Sequence, residues 1–323
     1  MSINVLNTIL ILVSYGLAYI IPFELFIVTY AILGPLHYLT EIPWLHRKGY
    51  FMESAKPTWW FWLLAIAGCI VTYMHVVYGF AIATFIAFGS ALVMVITSDR
   101  VKRIAGIAAV CAISPLITRM TITEFLFGLY LTTLIHVLVF TWFFMLLGSL
   151  KERKVSGFIS VATLTVCALS FLVVPQSANG YKFAPYFAQS AKAFGHIEMR
   201  LTDLFGWSAN YDSFVAAMRL VAFAYTYHYL NWFSKTKIIQ WHKMSKRGLL
   251  TVAALYVLAM SVYAYDFKLG LSVLLFLSVL HVYLEFPLNW KSFQLIGSEL
   301  LALSTPRKAS VPVVIPVRSH DAS

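Results

Sequence analysis

The chain has 323 residues, of which 60% are hydrophobic and only 11% charged, and its mean hydropathy is +0.80. A soluble domain carries about 25% charged residues, so this composition excludes an ordinary soluble protein and implies a polytopic membrane protein. The net charge of +11 would suit a nucleic-acid binder, but the basic residues fall in loops between apolar spans, which excludes that partner.

Ten apolar stretches follow one another: 4–21, 22–42, 58–77, 79–97, 103–119, 122–148, 155–174, 213–233, 248–265 and 268–288. Each is near the ~20 residues that a helix needs to cross a bilayer. The expected fold is all-α, a polytopic bundle of about ten transmembrane helices. The first pair could be a single bent hairpin. No basic residue precedes the first span and no small-residue cleavage site follows it, so it reads as an anchor. Cys69, Cys111 and Cys167 all lie in apolar spans without a CxxC pair and read as small core residues.

Lys and Arg set the orientation. Loops 43–57, 98–102 with its edge residue Arg103, 149–154 and 234–247, with the C-terminal tail, carry 18 of the 24 basic residues, and the other face carries 6. The basic loops alternate onto one face, so both termini are expected to be cytoplasmic. Residues 1–290 then form a single transmembrane domain. Residues 175–212 form an outer loop with an interfacial amphipathic helix, and 291–323 form a cytoplasmic, disordered tail. Arg219 falls near the outer edge of span 8, where it is expected to snorkel.

Chemistry concentrates in four spans. His37, His136, His228 and His281 lie in spans 2, 6, 8 and 10, which all run in the same direction. His37 and Glu41 are four apart, one turn along a helix face. His281, Glu285 and Pro287 repeat the spacing of His37, Glu41 and Pro43. At about 1.5 Å per residue, His37, His228 and His281 lie roughly 10–15 Å from the next basic residue, and His136 roughly 22 Å from Lys151. That mismatch closes if span 6 protrudes past the membrane.

Four neutral imidazoles on converging helices suit a transition metal, with Fe, Cu, Zn and Ni all open. Glu41 and Glu285 could ligate it directly, or accept a ring N–H and fix a tautomer. Tyr38, Trp44, Tyr227, Trp232 and Tyr283 supply candidate walls for a lipophilic substrate. His46, at the membrane edge, could reach back to the same site. The competing explanation is ordinary: a histidine in a span often serves packing through a hydrogen bond. The paired His and Glu could also carry protons without a metal.

These stretches, GPLHYLTE, LIHVLVFTW, YTYHYLNWF and LHVYLEFP, together with the lack of HxxxH boxes, resemble the Brp/Blh type of bacterial β-carotene cleaving dioxygenase. That resemblance implies an integral-membrane enzyme with a non-haem iron, Fe(II), held by four histidines. It implies His37, His136, His228 and His281 as ligands, O2 and a carotenoid or other isoprenoid or lipid as reactants, and a bacterial-type inner membrane. The expected function is a metal-dependent oxygenase in which Glu41 and Glu285 serve catalysis. The alternative is a transporter that uses intramembrane His and Glu for proton or ion coupling.

Overall fold

Pro22 divides the first long apolar run, because a proline at the first helical position starts a new helix and cannot continue the old one. The computed structural model describes residues 2–52, 56–173, 177–185, 201, 204–208, 210–240 and 244–304. Of these, 86% are helical, and there is no strand among the described residues. The long helices are α1 (Ile3–Ile20), α2 (Pro22–Arg47), α3 (Trp59–Tyr73), α4 (Gly79–Ile96), α5 (Arg100–Ile117), α6 (121–152), α7 (Val155–Val173), α8 (Tyr211–Ser234), α9 (Lys246–Tyr265) and α10 (Phe267–Ser304).

Short polar residues start these helices by accepting the first free backbone N–H groups. Ser2 accepts from Val5, Asp99 from Lys102, Asn210 from Ser213 and Ser245 from Gly248, at 3.3, 2.8, 2.9 and 3.1 Å. Two helices depart from regular α geometry. A π-helical turn, Thr29–Leu33, interrupts α2 just ahead of His37. In α6, π-helical segments Leu126–Tyr130 and Ile135–Phe140 flank a turn at 131–133, and His136 lies within the second. Such π turns are rare and mark functional positions more often than chance.

Seven helices among the described residues are long and apolar enough to cross a membrane, or eight if the bent pair Arg100–Ile117 and Thr121–Tyr130, at 115°, counts as one span. The ten expected spans all land on helices, but not all meet that measure. Helix α3 has 15 residues. Helix α8 carries Asp212, Arg219, His228 and Asn231, yet nearly every residue from Ser213 to Tyr229 is buried inside the protein. Its polarity is tolerated because other helices, rather than lipid, surround it. The exterior, by contrast, is apolar: Leu116 and Leu250 are each 69% exposed, as suits a lipid-facing surface.

Hydroxyls and small residues hold the seams, as expected where apolar burial cannot distinguish protein from lipid. Thr8 meets Ser160 and Tyr15 meets Ser170, both at 2.9 Å, joining α1 to α7. At Gly34 a β-carbon would lie 3.1 Å from the Tyr229 hydroxyl, so glycine lets α2 and α8 close up beside the histidines. Helices α2, α6, α8 and α10 surround the middle of the bundle: α2 and α6 each pack on both α8 and α10.

Two expectations change, and a third falls mostly outside the described residues. Helix α10 was expected to end at 288 and give way to a tail at 291, but it continues to Ser304. Nothing between Pro287 and Ser304 breaks it, and residues 305–323 lie outside the described set. Most of the amphipathic segment expected within 175–212 also lies outside the described residues. Arg219 does not snorkel. It is 2% exposed, donates to the Ser177 carbonyl at 2.8 Å, and stands 4.7 Å from the centre of the Tyr19 ring.

Candidate metal centre

Each of the four central helices delivers one histidine to the same place. His37, His136 and His281 are buried, and each offers a ring nitrogen within 4.8 Å of the others. His228 joins them: its Nε2 lies 3.1 Å from Nε2 of His37, and its ring centre lies 4.9 Å from that of His136. The His136 and His281 rings are 5.1 Å apart. His136 therefore stands level with the others. The longer count from His136 to Lys151 reflects the length of α6, which continues as regular α-helix from Thr141 to Glu152 and packs Leu147 and Leu150 against Ile296 of α10.

The spacing of His37 and His228 fits a shared ion. Two nitrogens about 2.1 Å from a common metal stand ~3.0–3.4 Å apart as neighbouring ligands and ~4.2 Å apart as opposite ones. The 3.1 Å between His37 and His228 is in the first range. Oε2 of Glu41 lies 2.9 Å from Nε2 of His37, within reach of the same centre. The cluster also has unmet hydrogen-bonding capacity. Neither ring nitrogen of His136 has a hydrogen-bond partner among the described residues, although its side chain is 2% exposed. A buried polar atom left unpaired costs about 1–3 kcal/mol, and ligation would offset that cost. Three buried histidines thus lie close enough to bind a metal ion, with a fourth beside them.

Supporting groups come from neighbouring helices. Thr141 Oγ1 lies 2.8 Å from Nδ1 of His228, and this contact leaves Nε2 facing the cluster. Glu285 does not pair with His281 on its own helix, as the repeated spacing suggested. It faces His136 across the bundle, with Oε2 3.6 Å from Nδ1. Glu41 and Glu285 also approach each other from opposite walls, close enough for their carboxyls to interact. Two carboxylates beside four neutral imidazoles would balance the charge of a divalent ion.

The aromatic candidates divide. Trp44 and Trp232 line a cavity of about 310 Å³ that reaches His37, Glu41, His228 and Glu285. Trp232 is anchored by donating to Thr40 Oγ1 at 3.1 Å. Tyr38 sits by the cluster, its ring 5.7 Å from that of His281. Tyr227 and Tyr283 do not line the cavity. Tyr227 donates to the Met145 sulfur at 2.9 Å, and Tyr283 pairs with Thr84 at 2.8 Å. A helix turns about 100° per residue, so Tyr227 and Tyr283, one and two positions from a cluster histidine, face elsewhere, whereas Trp232, four after His228, shares its face; Tyr38, one after His37, reaches the His281 ring but does not line the cavity either. His46 stays out of the site and pairs with the Tyr50 hydroxyl at 3.2 Å.

The sequence reading missed Thr141 and Asn231, which lines the cavity. Asn231 is three residues beyond His228, so helical spacing alone could have flagged it. Thr141 reaches its histidine from another helix, and no local pattern reveals that. A second cavity, of about 400 Å³, approaches from the other side, lined by Tyr30, Thr133, Tyr225 and Ser278, the last three each three residues before a cluster histidine. It contains no charged residue.

No protein-family model, curated protein or solved structure matches the chain. What the fold and site define is a protein of membrane type, built of helices without a strand among its described residues, with a buried histidine cluster able to bind a metal ion.

The Thr141 contact gives an immediate expectation. Thr141→Val keeps the shape and leaves Nδ1 of His228 without its partner, so metal affinity should fall by ~10–100-fold and the metal-free protein should lose about 1–3 kcal/mol of stability. Competition against a chelator of known affinity measures the first, and a melting curve in detergent the second.

Proposed function

We propose that this chain is an integral-membrane non-haem metal oxygenase, with iron as its metal, acting on a lipophilic substrate such as a carotenoid, another isoprenoid or a lipid. The observation that supports it is the meeting of four histidines from four helices, backed by Thr141, Glu41 and Glu285, with a cavity running up to them. A ligand set of imidazoles suits ferrous iron, which supplies dioxygen activation when bound.

The residues of the chain do the rest. His37 and His228 fix the centre through ring nitrogens held by their surroundings. Glu41 and Glu285 hold or release protons beside it and offset positive charge. Trp44 and Trp232 flank the substrate cavity and exclude water. The opposite cavity, without charge, suits dioxygen, an apolar gas. Cleavage of a carbon–carbon double bond by O2 places one oxygen atom on each carbon, so that reaction balances without an outside reductant.

The test is oxygen uptake by the iron-loaded protein in detergent or nanodiscs, offered β-carotene, a linear isoprenoid and a fatty acid in turn. Uptake that depends on both iron and one lipophile, with a product gaining oxygen by mass spectrometry, supports the reading. A second reading, proton-coupled transport, is favoured by the facing Glu41 and Glu285 on the wall of a cavity that also holds Lys235. Proton flux in liposomes that needs Glu41 and Glu285 but no metal, with no oxygen uptake for any lipophile, would select that one.

A further inference from the structure

The cavity beside the histidines has a polarity gradient along its length. Its deep end holds His37, Glu41, His228 and Glu285, and its other end holds Lys151 and Lys235. Lys151 closes the last turn of α6 and is exposed; Lys235 immediately follows α8 and is half-buried. From Thr141 to Lys151 and from His228 to Lys235 the helical rise is roughly 15 and 10 Å. Between the two ends the wall is mainly apolar, with Phe144, Leu147 and Leu288 prominent.

The charges at the mouth are available. Neither Lys151 nor Lys235 forms an ion pair among the described residues. Glu285 lines the same cavity deeper in. Arg47, nearby, is committed to the Ile239 carbonyl at 3.2 Å. A second and independent feature points to a ligand: Trp44, on the cavity wall and 7% exposed, has an indole N–H donor with no hydrogen-bond partner among the described residues. Buried polar atoms of this kind normally have one.

We infer that this cavity binds a long-chain carboxylate, with its head group at Lys151 and Lys235 and its alkyl chain running down toward the histidine cluster. The inference rests on the proposed function in taking this ligand as the substrate class, but the binding itself needs no metal. Two paired lysines recognise a carboxylate as point charges, and the apolar wall takes the chain. An ester or alcohol of the same chain would keep the apolar contact and lose the charge.

The experiment is binding of tritiated palmitate to the purified full-length chain by scintillation proximity, with metal content measured on the same samples. Palmitate should displace the label at least about tenfold better than methyl palmitate or hexadecanol, as expected for a charge-assisted interaction. The double variant Lys151→Gln, Lys235→Gln should lose that preference. Gly148 lines the cavity, and a β-carbon there would meet nothing within 4 Å. Gly148→Phe should therefore fill the cavity and abolish binding while metal content stays unchanged. Equal displacement by palmitate and its methyl ester, or binding that survives Gly148→Phe, overturns the inference. Charge-dependent palmitate binding by a chain that takes up no metal would retain the inference and overturn the oxygenase reading. A metal-loaded chain without charge preference would do the reverse.

Discussion

His37→Ala is expected to abolish stable metal binding. The wild-type chain, purified in detergent and loaded anaerobically with ferrous iron, should hold about one metal per chain, in keeping with a single histidine site. His37 is the hinge of that site. Its Nε2 lies 3.1 Å from His228 and 2.9 Å from Glu41, and its ring centre is 5.4 Å from that of His281. Removing it takes away a ligand and opens a gap that the other three cannot close, because each is held by a separate helix. The loss should exceed the ~10–100-fold that removal of a supporting group costs. His228→Ala should behave alike. His46→Ala and His75→Ala should keep full metal, since His46 is engaged with Tyr50 and His75 lies in the turn between α3 and α4. Elemental analysis after gel filtration reads all five proteins, and a monodisperse peak for His37→Ala shows that folding is not the cause.

Glu285→Gln is expected to have the next largest effect. A divalent ion among neutral imidazoles deep in the protein is an uncompensated buried charge, which is costly. Glu41 and Glu285 are the two carboxylates at hand, both about 2% exposed or less. Glutamine keeps the shape and removes the charge. Metal affinity should fall ~10–100-fold in Glu285→Gln, and further in the double variant with Glu41→Gln. The metal-free form should become more stable, because it no longer buries two acids side by side. That opposite movement of metal affinity and apo stability, read by chelator competition and by melting curves, separates charge balance from simple damage. A loss of both together would count against the assignment.

Much of this centre was legible in the chain because helical periodicity carries it. His37 and Glu41, four apart, do lie together at 2.9 Å. The four histidine spans were legible as parallel helices, and their side chains do meet. Where the reading failed, the missing information lay between helices. Glu285 looked like a partner for His281 by analogy with the first motif, but packing aims it at His136. Thr141 showed no motif and still holds His228. Tyr227 and Tyr283 were grouped with the site by nearness in sequence, although the helical turn points them into other contacts. Span 213–233 was legible as a helix, but the neighbouring helices that shield its polar residues were not.

The most direct test of a shared metal centre is X-ray absorption at the metal edge of the loaded wild-type chain. Three to four imidazole nitrogens at about 2.0–2.2 Å, with the outer-ring scattering that imidazole gives, is the predicted result, and His136→Ala should remove one of them. A metal shell without imidazole scattering, or one that His136→Ala leaves unchanged, would contradict the account.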